Sequence, residues 1–369
     1  MGQSVKPVVI ISAINIRNGG PLSILQDCLS YLQSELLKDY KIVALVHDQT
    51  LLKGVDGIEF IEYPSSASSY CYRLYYEYYS FKKLSLQLKP TLWLSLHDMT
   101  PNVTADVRAV YCHNPSPFYQ MTLKERLLDP RFSLFNSFYK LLYRINIAKN
   151  DYVIVQQEWL RTQFQTLFKL GPVVVAYPDI HSVENTIEVV ESSAVGTQFF
   201  FPTFPRFFKN IEVIIDAVRL LNQSKREPFR VTITIDGTEN SYARHVMKYA
   251  RGVENIRFIG QVSRDDVYKL YKHSDCLIFP SKLETWGLPI TECKSFNKPM
   301  LVADLDYAHE TVGEYDKVDF FSPEDDEQLA RLMEKVISGR QEFEGNLRTE
   351  VAEPFTHTWA ELFKLLLGK

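Results

Sequence analysis

FIGQVSRDDVYKLYKHSDCLIFPSKLETWGLPITECKSFNKPMLVADL, residues 258–305, is the stretch that decides the fold. It opens at the end of an apolar run, 256–260, and passes through a helical pattern to a second apolar run, 276–280. A loop and a new helix follow, with Pro289 in the first turn, where its missing N–H would be unpaired anyway. A third apolar run, 299–303, closes the unit. Short Val-, Ile- and Phe-rich runs without alternation read as strands covered on both faces. Strands repeated through helices imply a parallel sheet with right-handed crossovers.

The same alternation extends outward through the chain. Strands are expected at 7–13, 41–47, 58–63, 91–96, 109–113, 152–156 and 173–177 in the front half. The rear half adds 198–202, 231–236 and 318–321 to the three already placed. A chain of 369 residues exceeds one ordinary core. We therefore expect an N-terminal Rossmann-like domain over 1–178, a polar linker over 179–196, a second such domain over 197–353, and a helix over 354–369 packing back on the first domain. Two doubly wound sheets would turn their carboxyl ends to one cleft, where ligands of such sheets bind.

Composition narrows the function classes. Hydrophobic residues at 46% and charged residues at 23% suit a globular protein rather than a disordered one. Net charge is −4, and nucleic-acid binding is not expected. Residues 1–180 nevertheless hold 18 Lys and Arg against 15 Asp and Glu, and 70–149 hold 11 against 5. The five cysteines form no C-x-x-C pair, which fits a reducing compartment and argues against zinc. No apolar run approaches the ~20 residues of a membrane span. A cytoplasmic protein, at most peripheral on the inner face of the cell membrane, is the expectation. Basic and aromatic residues interleave at 70–89 and 131–150. They read as helices packing on the sheet or, alternatively, as a surface that meets anionic lipid.

Chemistry concentrates after the strand 276–280. Glu284 falls in the loop, and Gly287 permits close backbone approach. The amides of Trp286, Gly287 and Leu288 make an anion- or hydroxyl-binding rim at a helix N-terminus. Glu292 lies one turn into the helix, so two carboxylates flank one rim. Upstream, Arg206 and Lys209 precede a helix, suited to stabilising a departing diphosphate. In the front half Gly19 and Gly20 stand between a strand and a helix, without the G-x-G-x-x-G of a nicotinamide dinucleotide site. His113 ends a strand, and His97 and Asp98 end another.

The segment 258–305 resembles the donor-binding half of glycosyltransferase family 4, the retaining GT-B enzymes. Glu284 and Glu292 match that family's Glu-x7-Glu signature. The resemblance spans essentially the whole chain and is strongest at 256–314. It implies an α/β GT-B fold and a metal-independent glycosyltransferase with no cofactor. Its substrates would be a GDP- or UDP-sugar and a glycan or lipid-linked acceptor, in bacterial surface polysaccharide assembly. Glu292 would bind ribose hydroxyls, while Glu284 and the neighbouring amides hold the sugar. The loop ending at Val262 would lie against the base. Gly237, after the strand 231–236, joins the donor-binding set with Gly19 and Gly20. His113 would contact the donor sugar, and His97 and Asp98 the acceptor. The family arginine usually stands about five residues before the lysine, where this chain has Phe204; Arg206 is displaced from that place. Asp304-Leu305-Asp306 formally matches a metal-binding D-x-D, but no metal is expected there. The rival functions are a sugar-nucleotide epimerase on the same fold and a non-catalytic nucleotide-sugar-binding partner.

Overall fold

The computed structural model of the protein describes residues 6–17, 19–178, 196–223 and 227–368. They divide into two units. One contains Met1–Gln120, Arg131–Ile180 and Val351–Lys369; the other contains Met121–Pro130 and His181–Glu350. The expected linker lies outside the described residues except for Gly196.

In the first unit, β1 (Val8–Ala13), β2 (Lys41–Val46), β3 (Glu59–Glu62), β4 (Leu92–Ser95), β5 (Val107–Tyr111), β6 (Tyr152–Val155) and β7 (Val173–Ala176) pair in parallel. In the second, β8 (Thr197–Phe201), β9 (Phe229–Ile233), β10 (Ile256–Phe258), β11 (Cys276–Phe279), β12 (Met300–Ala303) and β13 (Val318–Phe321) do the same. A two-residue strand, β14 (Phe355–Thr356), returns to pair with β7. The first sheet runs β14-β7-β6-β5-β4-β1-β2-β3 and the second β10-β9-β8-β11-β12-β13. Each therefore reverses its strand order once, between β1 and β4 and between β8 and β11. Ligands of doubly wound sheets bind outside the carboxyl ends at that reversal.

The apolar runs are buried on both faces, as parallel strands require. Along β1, Val9, Ile11 and Ala13 join one core cluster, while Ile10 joins another on the opposite face. The last residues differ from the single helix expected over 354–369. The chain first adds β14 and only then forms a helix, Trp359–Leu367, capped by the Thr358 hydroxyl on the Glu361 N–H. Trp359, Leu362, Phe363 and Leu366 of that helix enter the first unit's core, where Phe363 stacks on Tyr31. Among the described residues no helix is long and apolar enough to cross a membrane.

Candidate functional site

The second unit assembles its candidate residues at its strand-order reversal. The chain leaves β8 through Pro202–Pro205, makes a 3-10 turn at Phe207–Lys209, and enters the helix Ile211–Leu221 through Asn210. Asn210 adopts a left-handed conformation (φ 55°), which Asn tolerates better than most residues. Its buried amide donates to the carbonyls of Pro280 (3.3 Å) and Pro323 (2.8 Å), tying the turn to the end of β11. The Lys282 N–H donates to the Phe208 carbonyl at 2.7 Å, closing the tie from the other side. These bonds bring Lys209 Nζ into a direct ion pair with Glu284 Oε1. The side chains are only 17% and 15% exposed, so the pair is shielded much more than an ordinary surface pair.

The loop bearing Glu284 is held from beneath. Tyr307 donates to the Ser281 carbonyl at 2.6 Å, the Thr311 hydroxyl donates to the Trp286 carbonyl, and Trp286 Nε1 donates to Thr291 at 3.0 Å. Gly287 caps the helix Leu288–Ser295 at φ 89°. A Cβ there would meet Ile290, Phe279 and Tyr307 at 3.3–3.6 Å, so both conformation and space call for glycine. Standing at the N-cap without a side chain, Gly287 offers no side-chain acceptor, and the Leu288 N–H has no intrahelical acceptor. Glu292 is partly buried on the same helix. Burial pushes its carboxyl up from the usual range, opposed by a hydrogen bond from Tyr271 and the nearby Arg264 cation.

Other predicted residues fall around this pair unevenly. Arg206 is exposed and lies over the ring of Phe204, guanidinium to centroid 5.3 Å. Gly237 follows β9 with φ 94°, and its N–H and that of Asp236 donate to the two oxygens of Glu239 at 3.0 and 2.9 Å. Gly260 packs its α-carbon against Asp236, where a Cβ would come within 2.8 Å of the carboxylate. The loops carrying Gly237 and Val262 are therefore neighbours. Asp304 faces His309 Nε2 at 2.7 Å, and among the described residues no group of three or more His, Cys, Asp or Glu is placed to hold a metal.

The first unit carries its own set at its own reversal. Gly19 opens the helix Gly19–Tyr31 beyond β1 with φ 68° and open space where a Cβ would stand, so its requirement is conformational; Gly20 follows within the helix. His97 and Asp98 follow β4. Ser12 at the end of β1 bonds His97 Nε2 at 3.0 Å, which stitches the two strands together. His97 is buried, and burial together with the Arg73 cation holds its imidazole well below the usual range. Its Nε2 lies 3.2 Å from Glu77, whose carboxyl burial pushes up to about 8. Asp98 takes a left-handed conformation (φ 72°). Its carboxylate accepts from the N–H groups of His113 and Asn114 and from the hydroxyls of Tyr139 (2.9 Å) and Tyr143 (3.0 Å). Asp98 thus fixes the loop of His113, while His97 bonds Ser12 beside Glu77, and both side chains are buried. His113 stacks on Tyr111 at 4.4 Å, and burial lowers its pKa, so it is neutral at pH 7.

Residues 188–353 match the family described as Glycosyl transferases group 1. The match covers less than half of the chain. The match contains Lys209, Glu284 and Glu292 together, and stops before β14. Among relatives, the O-antigen chain mannosyltransferase C of Escherichia coli is 24% identical over 231 residues, which are 59% of this chain and 60% of that protein. The D-rhamnosyltransferase WbpZ of Pseudomonas aeruginosa is 28% identical over 115 residues, 30% of this chain and 28% of that one. The chain thus spans less than two thirds of the length of these relatives. A glycosyltransferase from Rickettsia africae superposes with TM-score 0.66 at 15% identity, covering 90% of this chain and 88% of that one. Anabaena Alr3699/HepE in complex with UDP-glucose gives 0.61 at 15%, covering 90% of each. At these identities the likeness establishes the fold: two parallel-sheet α/β units of the GT-B class.

In the matched region, sequence reasoning missed Glu239, Tyr271 and Arg264. Tyr271 and Arg264 act on Glu292 from the helix Arg264–His273. Neither carries a local signal, because the helix pattern accounts for both as ordinary positions. Glu239 could have been noticed as the carboxylate two residues after a glycine that ends a strand. In the other unit Arg73 and Glu77 were read as part of an aromatic helix, whereas both are buried. Glu77 sits in a π-helical turn, Tyr76–Ser80, a local widening frequent at functional positions.

Proposed function

We propose that the protein is a retaining glycosyltransferase. It moves a hexose-type sugar from a GDP- or UDP-sugar to a glycan or lipid-linked acceptor, in bacterial surface polysaccharide assembly. The observation that carries this reading is the shielded Lys209–Glu284 pair at the reversal of the second sheet, beside the Gly287 helix start. Relatives named for mannosyl and rhamnosyl transfer support the class of reaction.

The donor binds to the second unit. Glu292 accepts from the ribose hydroxyls, the Gly237 and Val262 loops flank the base, and Glu284 with the amides of Trp286, Gly287 and Leu288 holds the sugar. Lys209 serves two partners in turn. Without donor it neutralises Glu284; with donor it offers its remaining N–H groups to the diphosphate, aided by Arg206. As the bond from the anomeric carbon to the phosphate oxygen breaks, that oxygen takes the electron pair and Lys209 stabilises the charge. The acceptor hydroxyl bonds to the anomeric carbon on the face the phosphate leaves, and its proton passes to the departing phosphate oxygen. No protein carboxylate serves as nucleophile, and the lysine and arginine take the electrophilic role that a metal plays elsewhere. Gly19, Gly20 and neutral His113, the last held in place by Asp98, are the binding residues we assign to the first unit.

Peripheral membrane contact belongs to the same reading. The helix Pro130–Arg144 turns Leu134, Phe138 and Leu141 outward, 73%, 41% and 56% exposed, with Arg131, Lys140 and Arg144 around them. An outward apolar row flanked by cations suits an anionic lipid surface.

The test is release of nucleoside diphosphate from a panel of UDP- and GDP-sugars with and without glycan acceptors. Acceptor-dependent release with transfer of the sugar supports the proposal. Interconversion of the sugar nucleotide without acceptor would establish the epimerase instead, and binding without turnover a silent partner.

A further inference from the structure

The first sheet contains a second concavity, at the opposite end from His97, Asp98 and Gly19. It arises from an unusual crossover. β4 and β5 are adjacent and parallel, with Trp93 opposite Arg108. The chain between them must return along the sheet, and such returns usually contain a helix. Here residues 96–106 return with no helix. The strip is pinned by Asn102 N–H on the Glu77 carbonyl (2.9 Å), Thr104 N–H on the Ser85 hydroxyl (3.0 Å), and Asn150 Nδ2 on Thr100 (2.7 Å). A bare strip is far narrower than the ~10 Å of a helix with its side chains. It leaves a cavity of about 370 Å3 toward the amino ends of β4, β5 and β6.

The walls of this cavity are chemically one-sided. Lys82, Arg108 and Lys149 line it, with Thr100, Thr104 and Asn150, and no carboxylate is among the lining residues. Lys82 Nζ donates to the Thr104 hydroxyl at 2.8 Å, which leaves that ammonium uncompensated in charge. Arg108 has one acidic neighbour, Asp151, at 3.5 Å from Nε, and that pair is 33% and 43% exposed. An exposed pair of this kind is weak and readily exchanged for another anion. Trp93 belongs to the wall of the cavity. Its ring is 1% exposed, and its indole N–H has no hydrogen-bond partner within the protein.

We infer that this cavity binds a phosphate-bearing small molecule, with Lys82 and Arg108 as the charged ligands. Hydroxyls from Thr100 and Thr104 on the strip give it room for polar substituents, so a sugar phosphate and inorganic phosphate share the chemistry. The inference does not depend on the proposed transferase activity.

Inorganic phosphate and glucose 6-phosphate are the probes, titrated into the full chain at constant ionic strength set by chloride, with tryptophan emission and thermal midpoint as readouts. Saturable binding is expected. Lys209→Ala should leave it unchanged, which separates this cavity from the donor site. Lys82→Gln with Arg108→Gln should weaken it by roughly 10-fold or more, the loss expected for hydrogen bonds to charged groups. Asp151→Asn should tighten it, an effect that a purely structural role for these side chains does not produce. Trp93→Phe should abolish the emission change. A tighter complex with glucose 6-phosphate identifies the sugar phosphate as the ligand, equal affinity the bare anion. The inference is overturned by absence of binding up to roughly 10 mM, a very weak site. It is equally overturned by binding that Lys209→Ala removes, or by equal affinity in a double variant whose unliganded thermal midpoint shows it folded.

Discussion

Replacing Lys209 by alanine separates the catalytic reading of the Lys209–Glu284 pair from a merely structural one. The pair is shielded, with 17% and 15% of the two side chains exposed, and it joins the turn after β8 to the loop after β11. Two costs follow from removing the ammonium. Glu284 keeps a charge with no counter-ion in a partly buried place, which destabilises the fold by about 1–3 kcal/mol. For a chain of this size that lowers the thermal midpoint by roughly 2–4 °C per kcal/mol. The catalytic cost is separate: a preorganised group that stabilises developing charge is worth ~2.7–4 kcal/mol, or 10²–10³ in turnover. Nucleoside diphosphate release should therefore fall by about 10²–10³ in kcat for Lys209→Ala. Glu284→Gln keeps the lysine and should act mainly on KM for the donor. Both are measured by a coupled assay on protein shown to be folded by its melting curve. A kcat within about threefold of wild type, alongside the expected drop in melting temperature, would refute the catalytic role, since so small a change is under 1 kcal/mol.

Three further outcomes follow from the same geometry. Gly287→Ala places a Cβ at φ 89°, against Ile290, Phe279 and Tyr307; the left-handed backbone alone costs about 1–2 kcal/mol, read by thermal or urea denaturation. Glu77 is held up to about 8 by burial, above its unfolded range. Its bound proton stabilises the fold fully below the unfolded pKa and that stabilisation is lost as pH rises through about 8. The thermal midpoint should fall between pH 5 and 9, by up to roughly 1.4 kcal/mol of stability per pH unit, and Glu77→Gln should flatten the profile. Arg131, Lys140 and Arg144 changed together to serine should release the protein from anionic vesicles in a flotation assay. Each cation near such a surface is worth about 1 kcal/mol, and wild type that stays in the soluble fraction at low salt removes the membrane reading.

Thirteen of the fourteen strands among the described residues were legible, because buried parallel strands announce themselves as short unbroken apolar runs such as CLIF and MLVA. β14 was not, since a two-residue pairing with β7 leaves no pattern in EPFTHTW. The Glu284–Gly287–Pro289 turn was legible as well. A glycine free to take positive φ, followed by a proline that needs no amide partner, marks a helix start by its chemistry alone. What stayed hidden was pairing at long range. Asn210 bonding Pro280 and Pro323, Tyr271 reaching Glu292, and Asp98 collecting Tyr139 and Tyr143 each join residues that no spacing rule connects. The His97–Asp98 dipeptide is of the same kind: nothing in its spacing announces that Asp98 holds the loop of His113 or that His97 bonds Ser12.

The central claim is that the second unit grips a nucleotide through its ribose and diphosphate at the β8–β11 reversal. Titration calorimetry of UDP and GDP, each against its 2′,3′-dideoxy counterpart, tests this most directly in wild type and Glu292→Ala. Wild type should prefer the ribose form of one nucleotide by roughly 10-fold or more, the value of hydrogen bonds to a charged group. Glu292→Ala should erase that preference while leaving the dideoxy affinity nearly unchanged. An undiminished preference for ribose in the variant, or no affinity of the wild type for either diphosphate, would contradict the account.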